Sequence, residues 1–130
     1  MKTVVICGSD RFAKEIKEFA KKLEKLGVVV YAPNSYRASG GDWSRIHEYD
    51  KKFVALGLTL EHVYKIKMAD VVYIYNKDGY AGVSTTLEIG CAMALDKPIY
   101  VFSDKDPELC RASLFRRFVK DPKELIEFLK

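Results

Sequence analysis

The stretch DVVYIYNKDGYAGVSTTLEIGCAMALDKPIYVF, residues 70–102, decides the fold of this chain. It contains an apolar, partly β-branched run at Val71–Tyr75, a polar glycine-containing loop, a helix predicted over Thr85–Leu95, and a second apolar run at Ile99–Phe102. Two short apolar strands joined through a helix indicate a parallel pair, because a parallel connection has to cross back over the sheet. The segment therefore predicts an α/β architecture.

The same alternation of strand and helix signals continues on both sides of this segment. Further strands are predicted at Thr3–Cys7, at Val28–Ala32 and around Phe118 and Val119, and the first helix is expected to stop at Gly27. No linker or repeat divides the chain, so residues 1–130 are expected to form a single domain. We predict an α/β fold with one doubly wound, five-stranded parallel sheet in the flavodoxin-like order 2-1-3-4-5.

The segment between the second and third strands is predicted to hold a loop and two helices. The polar loop 34–42 is long enough to be functional. Asp42 is expected to cap a helix carrying Tyr49, and Gly57 is expected to separate that helix from another that starts near Thr59.

Composition and charge exclude several classes of protein. The chain is 48% hydrophobic and 31% charged, with no apolar run near the length of a membrane helix and no signal-peptide pattern, so a cytoplasmic location is predicted. Its net charge is +4, but lysines alternate with glutamates along helical stretches, which does not favour nucleic acid as a partner. Abundant Lys and Glu without any Gln is typical of hyperthermophile proteins.

Cysteine and histidine spacing predicts neither disulfides nor a metal centre. Cys7, Cys91 and Cys110 are odd in number and widely spaced, which is typical of buried or reduced thiols. His47 and His62 show no ligand spacing such as HExxH, so no zinc site is expected. Neither GxGxxG nor GxxxxGK[ST] occurs, so no nucleotide cofactor is implied.

Two carboxylates near the glycine loop are candidates for catalysis. Glu88 and Asp70 suit the cleavage of N-glycosidic bonds, because a carboxylate can trap or stabilise an oxocarbenium-like sugar. Glu88 is expected near a helix N-terminus, where the helix dipole would keep it ionised. The alternatives are that Glu88 completes a capping box with Thr85 and that Asp70 only marks a strand boundary. GVSTT resembles a nucleophile elbow, but Thr86 stands at the second glycine position, which argues against a serine hydrolase.

Three segments carry a family resemblance: VVICGSDR, MADVVYIYN and GVSTTLEIGCAMALDKPIYVF. Over most of its length the chain resembles the nucleoside 2-deoxyribosyltransferase superfamily, which includes the 2'-deoxynucleoside 5'-phosphate N-hydrolases. The resemblance implies that Glu88 is the nucleophile and that Asp70 belongs to the site. It also implies a nucleoside or nucleoside 5'-monophosphate as substrate, with water as acceptor giving hydrolysis and a second base giving transfer.

The resemblance also implies a binding surface, an assembly and the absence of cofactors. Neither a cofactor nor a metal is expected. The protein is expected to form a homodimer or a higher homo-oligomer. The residues expected to line sugar, base or phosphate are Gly8, Ser9, Arg11, Asn76, Gly79, Tyr80, Gly82 and Ser84.

Two positions differ from the family pattern and keep other functions open. His62 stands where members often carry aspartate, and Gly82 stands where the enzymes have aspartate or serine. These differences motivate an alternative, a non-catalytic nucleotide-binding or sensing module of the same fold. A riboside-phosphate phosphohydrolase of the lysine-decarboxylase-like group is a third possibility, although its PGGxGT signature is missing.

Overall fold

The computed structural model describes residues 1–35 and 40–130 and confirms the predicted architecture. One five-stranded parallel sheet has the order β2-β1-β3-β4-β5, which is the predicted order 2-1-3-4-5. Val4 pairs with Val30 on one side and with Val71 on the other. The strands are β1 Val4–Gly8, β2 Val30–Tyr31, β3 Val71–Tyr75, β4 Ile99–Val101 and β5 Arg117–Phe118.

Helices cover both faces of the sheet. They are α1 Ala13–Lys25, α2 Glu48–Met68, α3 Val83–Ala94, α4 Leu109–Ala112 and α5 Pro122–Leu129. Short 3₁₀ turns lie at Asp10–Phe12, Trp43–Arg45 and Lys77–Gly79. Within the described ranges, no helix combines the length and apolar character that crossing a membrane requires.

Strand β1 shows why the strands are apolar throughout. Val4 and Ile6 pack into a core with α1 and α5, whereas Val5 and Cys7 point the other way into a core with α2 and α3. Successive side chains of a strand alternate between faces, so a strand covered on both faces has to be apolar at every position.

Helix α2 corrects the expectation of two helices. It runs without a break from Glu48 to Met68, and Gly57 lies inside it. A glycine within a helix lowers the stability of the helix by only about 1 kcal/mol relative to alanine, and the flanking turns can compensate for this loss. Asp42 caps the 3₁₀ turn Trp43–Arg45 instead, by accepting a hydrogen bond from the Ser44 N–H at 3.1 Å.

Helix α3 begins earlier than predicted, and this changes the position of Glu88 within it. Its N-cap is Gly82, so Thr85 lies inside the helix and cannot be the capping residue of a Thr85/Glu88 box. The capping-box alternative for Glu88 is therefore wrong. The predicted functional loop 34–42 falls partly outside the described residues, since 36–39 are not among them.

Candidate active site

The candidate site lies at the carboxyl edge of the sheet, between β1 and β3. Gly8 ends β1, and the segment 76–82 connects the end of β3 to α3. These two central strands mark the point at which the strand order reverses, where ligands of doubly wound sheets bind. The topology therefore brings the two loops with the sequence motifs to one edge of the molecule.

Glu88 meets two side chains from other elements at this edge. Its Oε2 lies 3.2 Å from His62 Nε2 of α2, and the same nitrogen lies 3.3 Å from Cys7 Sγ of β1. Cys7 and His62 are buried, and the Glu88 side chain is 17% exposed. A strand and two helices thus hold one carboxylate in a largely enclosed position.

Burial controls the protonation of this cluster. It raises the pKa of Glu88 to about 7, although the Cys7 thiol acts in the opposite direction. Burial, together with the Lys65 ammonium, lowers the pKa of His62 to about 4. Burial also raises the pKa of the Cys7 thiol. Burial of Glu88 therefore opposes the ionised form that the helix dipole was expected to favour.

Arg11 and Tyr80 come together from the two loops. The Arg11 guanidinium lies over the Tyr80 ring, 3.6 Å from its centroid, and Phe12 contacts the same ring edge-on. Ser9 caps the turn that carries Arg11 by accepting its backbone N–H at 3.3 Å. Arg11 is exposed and makes no ion pair with any of the described residues, so its charge is available to a ligand.

Three predicted binding residues have a structural role in these loops. The fully buried Asn76 amide donates to the Ser103 carbonyl and accepts from the Ser103 N–H, at 3.0 and 2.8 Å. Gly79 has φ +78°, and a Cβ there would collide with the Lys105 carbonyl. A Cβ at Gly8 would come within 2.7 Å of Ile16 Cδ1. Asn76 fixes the edge of the sheet through its hydrogen bonds, and the two glycines allow close packing there.

A cleft of about 410 Å³ opens beside the first turns of α3. Gly82 lies in its wall, and Arg111 closes one side while donating to Thr86 Oγ1 and to the buried Asp106 carboxylate. Its lining residues are Tyr80, Ala81, Gly82, Val83, Thr86, Leu87 and Arg111. Glu88 is not among them, so the cleft and the Glu88 cluster are separate features of this edge.

Ser84 lies on the same side of α3 as Glu88. It is exposed, in the first turn of the helix, and side chains four residues apart on a helix are neighbours. Ser84 therefore lies one helical turn before Glu88 on this face of α3.

Asp70 lies at the opposite edge of the sheet. Its Oδ2 accepts from the Thr3 N–H at 2.8 Å and from the Thr3 hydroxyl at 3.1 Å, just before β1 and β3 begin. Cys7 belongs to the Glu88 cluster and lies four residues after Thr3 along the chain. In an extended strand this separates Thr3 from Cys7 by a distance on the order of 13 Å. The structure does not bring Asp70 together with Glu88.

Comparison with known proteins was made on sequence and on structure. No protein-family model matches the chain, and no curated protein matches it. A 2-deoxyribosyltransferase from the psychrotolerant bacterium Bacillus psychrosaccharolyticus superposes with a TM-score of 0.63 at 21% identity, covering 95% of this chain and 89% of that one. The chain shares the 2-deoxyribosyltransferase fold.

A second solved structure extends this likeness. A conserved protein from Enterococcus faecalis V583 superposes with a TM-score of 0.55 at 18% identity, covering 98% of this chain and 96% of that chain. Both superpositions span nearly the whole chain. The resemblance inferred from the sequence motifs is thus matched by a shared 2-deoxyribosyltransferase fold.

Sequence patterns did not point to three of the residues described above. Local patterns indicate only a buried or reduced thiol at Cys7 and a departure from the family pattern at His62, and they do not single out Arg111. One signal was available for His62, because it precedes the buried Ile66 by one helical turn and so shares its inward face. The contacts of Cys7 and Arg111 are long-range and required the tertiary structure.

Proposed function

We propose that this protein cleaves or transfers the N-glycosidic bond of a nucleoside or nucleoside 5'-monophosphate, with Glu88 as the nucleophile. The observation that carries the proposal is the position of Glu88, a carboxylate held by Cys7 and His62 at the carboxyl edge between β1 and β3. The shared fold with a 2-deoxyribosyltransferase supports the same reaction class.

The chemistry requires the ionised form of Glu88. A carboxylate oxygen attacks the anomeric carbon and forms a glycosyl ester, while the C–N bond breaks and its electron pair leaves with the base, which takes up a proton. Water or a second base then attacks the same carbon and releases the carboxylate. Asp70 takes no part in this mechanism, because it is tied to Thr3 at the other edge of the sheet.

Arg11 supplies a positive charge for a 5'-phosphate in this proposal. Its guanidinium is exposed and lies over the Tyr80 ring, and the Ser9 hydroxyl is at the start of the same turn. Guanidinium groups suit phosphate because their donors match two phosphate oxygens at once. Nucleoside monophosphates should therefore compete more strongly than nucleosides for the site, and equal binding of both would contradict this role.

The deciding experiment measures base release with a matched pair of variants. Purified protein is incubated with deoxy- and ribonucleosides and their monophosphates, with and without a second free base, and free base is quantified by chromatography. We expect Glu88→Gln to lower release at least about 1,000-fold, because the amide cannot form the glycosyl ester. Glu24→Gln, an exposed carboxylate on α1, should leave it unchanged.

Other outcomes of this experiment separate the alternatives. Release that depends on added base indicates transfer, and release without it indicates hydrolysis. No release from any substrate, combined with thermal stabilisation by one of them, would favour the non-catalytic nucleotide-binding module. Equal release by wild type and folded Glu88→Gln protein would remove Glu88 from the mechanism.

We further propose that the chain forms a homo-oligomer through the outer face of α2. Large apolar side chains on this face are exposed, and contiguous apolar patches on monomeric proteins are rarely large. They recur at intervals of three or four residues, which places them along one stripe that a second copy of the same helix can cover. The stripe consists of Tyr49, Phe53, Leu56, Leu60, Tyr64 and Met68.

A cytoplasmic location stays a prediction.

A further inference from the structure

Three potential metal-ligating atoms converge inside the protein from three different elements. Cys7 Sγ comes from β1, His62 Nε2 from α2 and Glu88 Oε2 from α3, and a ligand atom from each lies within 4.8 Å of the other two. Local sequence patterns do not reveal this set, because its members lie far apart along the chain. Among the described residues, no other group of three or more Cys, His, Asp or Glu side chains is arranged so that it could hold a metal ion.

Two of the three distances between the ligand atoms match those around a tetrahedral metal. Bonds of about 2.3 Å to sulfur and about 2.0 Å to nitrogen or oxygen place neighbouring ligand atoms roughly 3.3 to 3.6 Å apart. Cys7 Sγ lies 3.3 Å from His62 Nε2, and Glu88 Oε2 lies 3.2 Å from that same nitrogen. Cys7 Sγ and the Glu88 carboxylate lie within 4.8 Å of each other, so an ion would draw this third pair closer together.

Hydrogen bonding among the side chains does not account for the whole arrangement. Glu88 Oε2 is inaccessible to solvent and has no hydrogen-bond partner among the described residues, although His62 Nε2 is so near. A buried carboxylate oxygen without a partner is costly. An ion bonded to Oε2 would satisfy this oxygen, whereas His62 Nε2 already has Cys7 Sγ as a hydrogen-bond partner.

The types of ligand select the class of metal. Thiolate and imidazole ligands suit Zn²⁺ and neighbouring transition metals, whereas Mg²⁺ and Ca²⁺ prefer sets made of oxygen. We propose that Cys7, His62 and Glu88 bind one divalent transition metal ion of the zinc class through Sγ, Nε2 and Oε2. Three protein ligands leave a fourth tetrahedral position for water or a ligand. Binding displaces the thiol proton to solvent, so that the sulfur binds as thiolate, and a proton carried by the Glu88 carboxyl group leaves in the same way.

This inference goes beyond the proposed glycosidic reaction and adds a consequence for it. An ion bonded to Oε2 withdraws the Glu88 carboxylate from attack on a sugar. If the proposed function also holds, Zn²⁺ therefore inhibits base release, and a chelator restores it. Metal binding itself does not depend on any glycosidic activity.

Cobalt spectroscopy on the whole purified chain tests the site. After treatment with chelator, Co²⁺ is titrated into the protein, and we expect a thiolate-to-cobalt charge-transfer band together with the intense visible bands of tetrahedral Co²⁺, saturating at one ion per chain. Zn²⁺ should abolish these bands by displacement. It should also raise the melting temperature, because it binds the folded state.

Matched variants assign the ligands. Cys7→Ser should lose the charge-transfer band, whereas Cys91→Ser and Cys110→Ser should keep it. His62→Gln and Glu88→Gln should each weaken Co²⁺ binding at least about 10-fold, against His47→Gln as the control. These two variants also test the site if Cys7→Ser does not fold. Absence of the bands in wild type, or full binding by any folded ligand variant, would overturn the proposal.

Discussion

At the scale of single residues, tertiary contacts decide what each carboxylate can do. Glu88 and Asp70 are alike in the sequence, since each lies near the boundary of an apolar element. In the structure Glu88 is largely enclosed and its pKa is raised to about 7, mainly by burial. Asp70 is exposed, and hydrogen bonds from Thr3 lower its pKa. The first is the proposed nucleophile, and the second joins the starts of two strands.

The predicted effect of Asp70→Asn is on stability. The amide weakens the two hydrogen bonds from Thr3, so the free energy of unfolding should fall by roughly 0.5–1 kcal/mol at pH 7. Asp104→Asn, at an exposed position, should change it far less. Urea unfolding measures both. Any base release found for wild type should persist in Asp70→Asn, and a large loss there would return Asp70 to the site.

The stability difference at Asp70 should depend on pH in a defined direction. Because the folded-state pKa is lowered, the ionised carboxylate stabilises the native state above its ordinary pKa, and that contribution is lost as the pH falls through the folded value. Wild type and Asp70→Asn should therefore become more similar in stability in acid. A gap that widens below pH 4 would contradict this assignment.

At the scale of elements, packing overrode local signals in α2. Gly57 indicated a break, yet the helix continues through it because His62 and Ile66 are buried on its inner face and hold the second half in place. The helix N-terminus also lies later than predicted, since His47, and not Asp42, caps it. Propensity is a weak guide where burial of side chains is at stake.

The variant Gly57→Ala should stabilise the protein. A Cβ at this position meets no atom within 4 Å, and alanine loses less backbone entropy than glycine when the helix forms. We expect the free energy of unfolding to rise by about 0.5–1 kcal/mol in urea titration. Gly27→Ala serves as the contrast, because Gly27 has φ +88° and alanine there is strained. Equal effects of the two substitutions would contradict the continuous helix.

At the scale of the whole molecule, the homo-oligomer proposed through the exposed stripe on α2 can be tested by mass. The chain has a mass of 14.8 kDa, so a mass near twice that value or a higher multiple in light scattering would show the homo-oligomer. Phe53→Lys combined with Leu60→Lys should shift the mass toward the monomer. Two lysines in the stripe would have to be buried without a partner of opposite charge when the subunits associate, which is unfavourable. Leu109→Lys, 83% exposed and off the stripe, should leave it unchanged. A wild-type monomer at high concentration would exclude this assembly.

The sequence by itself determined the order of elements and the topology. Alternating apolar runs and amphipathic helices specify parallel strands, and right-handed crossovers then leave few arrangements, of which the observed order is one. It also placed the loops of Ser9, Arg11 and Tyr80 at one edge, because the carboxyl ends of parallel strands share that edge. Local patterns suffice for these features, since each follows from neighbouring residues.

The chemistry proposed for the site depends on tertiary contacts. It separated Asp70 from Glu88 by the length of a strand, and it brought Cys7 and His62 against Glu88 from distant parts of the chain. Burial and the contacts that cross between elements set the protonation of these groups. No local pattern records such contacts, because they depend on how β1, α2 and α3 pack together.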